Sequence, residues 1–542
     1  MDQTRTHAGP VIDRRIAGAG LLATAALPWT GAIAATSPLV FDVRRFGARG
    51  DGKAIDSDAI NRAIAAANQA GGGTVVVPPG KYLCFSIRLQ SDVTLLLSPG
   101  STIIAADPVA HRGRYDEPEN DLEVQYQDFG ITHSHNSLIY GDGVTNVAII
   151  GGGLIHGLGL DREAGAGDRW HNQPGFRTPA EQGLTPKQVR LANPKDLAAV
   201  GRGNKSIALV RCRNVLLRDF TILQGGHFGV IAHGVVNMTI DNLVIDTDRD
   251  GIDIDCCRDV RVRGCTVNAA KDDAIVIKSS YALGKPVISE DISITGCKVM
   301  GYRLGALLDG TYEKSDYLAG RGGVLGRIKL GTESNGGFRN ILISDCIVEN
   351  ARGILMGIVD GGTLEDVVVS DITMRNPLNH PLFVHLSARM RTPPGTPLGQ
   401  IRRVRFENIN VSGTDMRYPC GVAGLPDAYI EDVSFRGIHV ASPGGGTAAD
   451  AAIDPPQDRK QSLEVMFMKT LPATGFYGRH ARRLTLRDME FTVDRPDARP
   501  TVAFHSVDGA IVDDLVSPRP RTEAVVSRDS KGIAIGDVRT FG

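Results

Sequence analysis

A twelve-residue phrase returns along most of this chain. It reads CRNVLLRDFTIL (212–223), VVNMTIDNLVID (235–246), CRDVRVRGCTVN (257–268), SEDISITGCKVM (289–300), FRNILISDCIVE (338–349), LEDVVVSDITMR (364–375) and IRRVRFENINVS (401–412). Looser copies stand at 143–157, 427–440 and 481–493. Each copy joins two short runs of alternating Val, Ile and Leu through a polar Asn, Asp or Gly turn, the period-two signature of short strands. Asp250 and Asp272 stand 22 residues apart, as do Gly229 and Gly251, and later steps lengthen by insertion. A unit of that size cannot close a core alone, so neighbouring units must stack. The expected fold is all-β, a single-stranded right-handed parallel β-helix. A β-propeller needs a longer unit of about 40–50 residues. The 64 glycines and only 5% aromatics suit many tight turns and exclude a helical bundle.

The ends and interruptions follow from the same reading. VFDVRRFGARGDG (40–52) precedes a helical pattern, SDAINRAIAAANQAG, which is expected to cap the exposed end of the first coil. Four segments lack the rhythm and are expected to be groove-lining loops: 107–140, 154–200 (which holds Trp170), 302–326 and 442–475. Residues 1–35 have the layout of an export signal, with Arg14 and Arg15 before a mildly apolar run and Ala32-Ile33-Ala34 for cleavage. The arginine pair points to the twin-arginine route, so a periplasmic or secreted protein is expected, with residues 36–542 as the catalytic β-helix. No later run is long and apolar enough to span a bilayer. The 60 basic and 61 acidic residues nearly cancel, which argues against a nucleic-acid partner. Eight cysteines (Cys84, Cys212, Cys256, Cys257, Cys265, Cys297, Cys346, Cys420) show no zinc spacing. Cys265, Cys297 and Cys346 recur at one place in the phrase, as stacked buried thiols would. A monomer is expected, because the coils bury their own core.

Parallel coils bring equivalent positions to about 4.8 Å of each other. The notable cluster is DTDRDGIDID (246–255), followed one coil later by KDDAIVIKSS (271–280). Asp250 leads one strand and Asp272 and Asp273 the next. Carboxylates this crowded raise one another's pKa, which is useful for general-acid chemistry and otherwise unfavourable.

These motifs resemble those of the polygalacturonase family, glycoside hydrolase family 28. That family has Asn-Thr-Asp-Gly, then Gly-Asp-Asp one coil on, then His-Gly and Arg-Ile-Lys. Asp248-Arg249-Asp250-Gly251 resembles the first and Lys271-Asp272-Asp273 the second; FGARGDG and GGGTVVVPPGKY match the opening cap. The resemblance implies inverting hydrolysis of an acidic polysaccharide or oligosaccharide, with Asp272 as acid and Asp250 and Asp273 activating water. Inversion generally places acid and base about 6.5–9.5 Å apart. It implies neither a cofactor nor a metal. The chain departs from the family at two motifs. Gly326 falls at the histidine, and Leu355 and Gly357 fall at the arginine and lysine. GRIKLG (326–331) comes one coil too early, so Arg327 and Lys329 are candidate relocated cations. Further candidate sugar contacts are Lys278, Glu333, His227, Asp360, His385, Arg389, Tyr477, Arg479 and His480. The long loops favour exo action on polygalacturonan or rhamnogalacturonan-type oligosaccharides. The alternatives are a β-helical lyase, with calcium and a basic proton abstractor, and a noncatalytic glycan-binding β-helix.

Overall fold

The corner residue of each coil explains the fold. Between two successive strands the chain turns through one residue in the left-handed region: Asp219 (φ 68°), Asn242 (54°), Gly264 (61°), Gly296 (62°), Asp345 (56°) and Asp371 (56°). Asn, Asp and Gly tolerate that conformation where β-branched residues do not, which is why they punctuate the phrase. Their side chains also bond from coil to coil. Asn242 Nδ2 donates to Asp219 Oδ1 at 2.9 Å, and a parallel ladder runs Asn237 to Asn214 (2.9 Å) to Asn146 (2.8 Å).

The computed structural model describes residues 39–117, 119, 126, 134–161, 201–315, 323–457, 459–460 and 469–540. The expected export signal and Trp170 lie outside them. From Leu39 onward the described chain is one unit, a right-handed parallel β-helix. A representative coil runs Val236–Asp241, Val244–Thr247 and Asp250–Asp255, and the next runs Arg258–Arg263, Thr266–Ala269 and Ile275–Ser279. The corresponding strands pair in parallel, giving three sheets. The recurrent phrase supplies the second and third sheets only. A third strand per coil, absent from the repeat as read in the sequence, builds what we call the site sheet: Phe228–His233, Asp250–Asp255, Ile275–Ser279, Ile328–Ser334, Ile354–Ile358 and Leu382–Leu386.

Inward positions fill the bore. Ile252, Ile254, Ile275, Ile277, Ile328 and Leu330 are all buried from the site sheet, and Phe406 stacks on Phe435 at 4.6 Å. Each such side chain contributes about 1.5–3 kcal/mol on burial, before the entropy of ordering it. All eight cysteines are free and buried. Residues 266, 298 and 347 pair directly in register, so the preceding cysteines Cys265, Cys297 and Cys346 stack as expected. The helix α1 (Ser57–Gln69) buries Ala59, Ile60, Ala63, Ile64 and Ala67 against the first coils. Ser57 Oγ accepts from Phe85 N at 2.8 Å.

The interruptions are partly structured. The segment expected as a loop from 154 begins with a strand, Leu154–His156, which pairs with Thr102–Ile104. The alternation of Leu-Ile-His there was too short to separate from the glycines before it. The 442–475 segment contains a one-turn helix, Ala448–Ala451, with a Thr447/Asp450 capping box. Buried Asp246 pins the 302–326 segment, accepting from the amides of Gly305 (3.0 Å), Leu307 (3.0 Å) and Leu308 (3.1 Å).

On the outer face of the second sheet one register column alternates in sign through nine consecutive coils: Arg258, Glu290, Arg339, Glu365, Arg402, Glu431, Arg482, Asp508 and Lys531. Arg402 sits between Glu365, which it contacts at 2.7 Å, and Glu431. Exposed pairs are individually weak, but a sign error here adds two repulsions while removing an attraction. Arg402→Glu should lower Tm by about 1–3 °C at low salt. The loss should shrink in 1 M NaCl, as differential scanning calorimetry at both ionic strengths would show.

Candidate active site

The site lies where the chain enters the site sheet. Ile252 pairs with Ile275 and Asp253 with Val276, an offset of 275 − 252 = 23 residues. Carried back, that register sets Asp250 beside Asp273 and Arg249 beside Asp272. The backbone agrees: Gly251 N donates to Asp273 O at 3.0 Å and Lys271 N to Asp248 O at 2.7 Å. A Cβ at position 251 would lie 2.4 Å from the Ala274 carbonyl oxygen, so only glycine lets the two coils close up beside Asp250. The following coil brings Arg327 and Lys329 alongside, since Val276 pairs with Lys329. Leu355 pairs with Lys329 one coil later. The register therefore leaves an apolar residue and Gly357 where the resemblance calls for the arginine and lysine, and puts Arg327 and Lys329 one coil earlier.

Asp250, Asp272 and Asp273 bring oxygens within 4.8 Å of one another. That is closer than the spacing of about 6.5–9.5 Å expected between an inverting acid and base. The reason is the direct coil-to-coil stacking, which leaves no intervening strand between them.

Their electrostatic surroundings differ sharply. Asp273 is held by two cations, Arg327 Nε on Oδ1 at 2.7 Å and Lys329 Nζ on Oδ2 at 2.9 Å. Asp272, at the solvent edge, meets Arg249 at 3.2 Å. Arg249 also reaches His227 at 3.3 Å. Asp250 is 3% exposed, and its Oδ1 has no hydrogen-bond partner among the described residues. Burial, then the charges of Asp253 and Asp272, raise its pKa well above the carboxylate range. The three carboxylates are the described group that offers ligands to a metal ion. With two of them already on protein cations, the cluster is poorly suited to a divalent ion, which would have to displace Arg249, Arg327 and Lys329.

Sequence reasoning passed over three neighbours. Asp253, two residues beyond Gly251, is fully buried and bonds Lys278. Burial pushes its pKa up to about 7, with Lys278 opposing. For Lys278 burial works against the charge, but Asp253, Asp250 and Glu333 outweigh it and raise its pKa. Asp255 accepts from Ser280 N at 2.7 Å and sits 2.8 Å from His233 Nδ1. Arg249 is the third. The alternation of aspartates in DGIDID was the signal for the first two.

The other predicted contacts fall into two groups, one bordering Lys278 through Glu333 and one further along the helix. Arg389 binds Asp360 (Nε to Oδ1, 3.0 Å) and Glu333 (3.4 Å), and Arg391 N donates to Asp360 at 3.0 Å, so this trio anchors the segment that follows the Leu382–Leu386 strand. His385 is buried, and burial lowers its pKa to about 4. Tyr477 lies in an apolar cluster with Leu355, Phe383 and Leu471, its pKa pushed up to about 12 by burial. Arg479 NH1 donates to Pro455 O at 2.6 Å, and burial takes His480 to about 4. The register runs Asp253, Val276, Lys329, Leu355, Phe383, Gly421, Tyr477, placing this last group five coils, about 24 Å, from the Asp272–Asp273 coil and six coils, about 29 Å, from that of Asp250.

Residues 40–272 match the family described as rhamnogalacturonase A/epimerase, pectate lyase-like. A probable polygalacturonase of Vitis vinifera is 24% identical over 353 residues, 61% of this chain and 60% of that protein. A mannuronan C5-epimerase of Azotobacter vinelandii is 29% identical over 221 residues, 40% of this chain and 14% of its own length. The chain thus spans less than two thirds of these relatives. Among solved structures, the family 28 exopolygalacturonase of Yersinia enterocolitica superposes with a TM-score of 0.62 at 18% identity, covering 88% of this chain and 78% of that one. It shares the fold. The match and the fold agree with the resemblance drawn from the motifs.

Asp250 yields a pH prediction. Its folded pKa is raised, so above about pH 3.8 the unfolded chain ionises this group while the native chain keeps the proton. Stability then falls as pH rises through that window. Asp250→Asn removes the penalty. Thermal melts should show the variant more stable than wild type at pH 7 and equal to it at pH 3.5.

Proposed function

We propose that this chain is a glycoside hydrolase of pectin-like, uronic-acid-containing glycans. The carrying observation is three adjacent carboxylates in three different electrostatic states: Asp273 clamped by two cations, Asp250 buried with no hydrogen-bond partner on Oδ1 among the described residues, and Asp272 at the solvent edge on one arginine.

In this reading each has one task. Asp272 faces the side from which a sugar chain arrives and donates its proton to the glycosidic oxygen as the C–O bond breaks. Arg249, on Asp272 at 3.2 Å, is the cation that a substrate carboxylate can draw away as the sugar chain arrives. Asp273, kept ionised by Arg327 and Lys329, takes the proton from the attacking water, while Asp250 orients that water through its own carboxyl proton. The water oxygen bonds to the anomeric carbon on the face opposite the departing oxygen, giving inversion from carboxylates that stand closer than is general for inverting enzymes, so the configuration of the fresh anomer decides this step. Arg327 and Lys329 therefore serve the base rather than the sugar.

Exo action is the reading we favour if the segment pinned by Asp246 and the one anchored by Arg389 close one end of the groove. The Yersinia neighbour is an exopolygalacturonase. With Leu355 and Gly357 in place of cations, the substrate includes linkages beyond plain polygalacturonan, such as rhamnogalacturonan-type oligosaccharides. Export by the twin-arginine route accords with eight free thiols, which a chain folded before export would keep reduced.

The test is product analysis on polygalacturonan, rhamnogalacturonan fragments and short uronic-acid oligosaccharides, with proton NMR of the fresh anomer. Wild type should release saturated, inverted product, and Asp272→Asn should lose about 10²–10⁴-fold in kcat. Products absorbing in the ultraviolet would replace hydrolysis with elimination. Binding without turnover of the whole panel would make this a noncatalytic glycan-binding protein.

A further inference from the structure

The columns that hold the catalytic carboxylates continue toward the N-terminal end of the helix. Lys205 pairs with Phe228, and Phe228 with Asp250, so a lysine stands in the Asp250 column two coils earlier, about 10 Å away. The neighbouring column runs from Asp272 through Arg249, His227 and Asn204 to Asn136, joined by His227 N to Asn204 O (2.7 Å) and Asn204 N to Asn136 O (3.2 Å).

Lys205 is 0% exposed. Its Nζ donates to Asn204 Oδ1 at 2.7 Å and lies 5.8 Å from the centre of the Phe228 ring. Among the described residues it makes no ion pair. Glu119, the nearest acidic influence, spends its oxygens on the amides of Ser134 (2.7 Å) and His135 (2.9 Å). Asn136 Oδ1, Ser134 Oγ and Ser137 Oγ are buried with no hydrogen-bond partner among the described residues, and the register that pairs Ile207 with Ile139 sets Ser137 beside Lys205 and Asn136 beside Asn204. A buried ammonium whose hydrogen bond goes to a neutral amide is costly to the fold, and burial lowers its pKa to about 7, with the charge of Glu119 opposing. Unpaired hydroxyls and an unpaired amide carbonyl beside it add to that cost. Buried groups left unsatisfied in this way mark a place where a ligand completes the hydrogen bonding.

We infer that Lys205, with Asn204 and Asn136, forms a carboxylate-binding subsite for a uronic acid residue on the N-terminal side of the scissile bond. The inference rests on the hydrolase reading for the position of that bond, but the binding chemistry stands by itself. The ammonium takes the sugar carboxylate, and the serine hydroxyls and Asn136 take its ring hydroxyls. This supplies acid recognition in a chain whose C-terminal side of the groove is apolar at Leu355 and Phe383.

The test uses Asp272→Asn protein, so that ligand is bound without turnover, and two probes: α-1,4-linked trigalacturonate and the same trisaccharide with its carboxyls reduced to hydroxymethyl groups. Adding Lys205→Met should raise the calorimetric Kd for the acid about 10–100-fold and leave that for the reduced sugar within about twofold. Asn204→Asp, which gives the ammonium an internal counterion, should raise Tm and cause the same selective loss; it carries the test if Lys205→Met does not fold. Equal losses for both sugars, unchanged affinity for the acid, or no binding of either probe overturns the subsite. Wild-type turnover is scored separately. A selective Kd effect without turnover of any glycan keeps the subsite and removes the hydrolase; turnover with an unmoved Kd does the reverse.

Discussion

Everything in this molecule depends on the stacking of one coil on the next through parallel backbone hydrogen bonds. That spacing is set by the peptide group and cannot relax to suit a side chain. Charges placed at equivalent positions are therefore forced together at strand spacing whatever their sign. Along the second sheet the sequence answers with alternation. In the active site it answers with like charges and then surrounds them with arginine and lysine from the coils on either side.

On the proposed reading, the distribution of those cations divides the work. Asp273 is pinned between Arg327 and Lys329, and burial raises the pKa of Asp250 well above the carboxylate range. Asp272 remains, with a single arginine that a substrate can compete for. Three residues of one type thus acquire distinct tasks from their neighbours. The same logic reaches outward to Lys205, whose charge has no neighbour to answer it within the described structure.

Much of this was legible in the sequence. Asn242, Gly264 and Asp345 betray the corner of each coil because few other residues accept its backbone conformation, and the β-branched runs beside them give the second and third sheets. The site sheet was less visible. Its strands carry Asp253, Lys278, Lys329 and His385 where the other sheets carry solvent-facing Thr and Ser, so they break the phrase that revealed the rest. Asp250, Asp272 and Asp273 could be found from spacing. Lys205 stands in line with residue 250 through two regular steps of 23 and 22 residues, but its strand lies in the site sheet, which the phrase does not mark. Glu333, Asp360 and Arg389 read in the sequence as single polar residues, and only the fold shows that Arg389 joins the two acids. Tyr477 and His480 have the chemistry of a sugar platform and stand five coils beyond the coil of Asp272 and Asp273.

The alternating column from Arg258 to Lys531 also bears on how such a chain can change in length. Losing or gaining a single coil within it would bring two like charges into register, whereas losing or gaining a pair restores the pattern. Over that stretch the helix is in effect built in two-coil steps, and descendants that differ in length there should differ by an even number of turns.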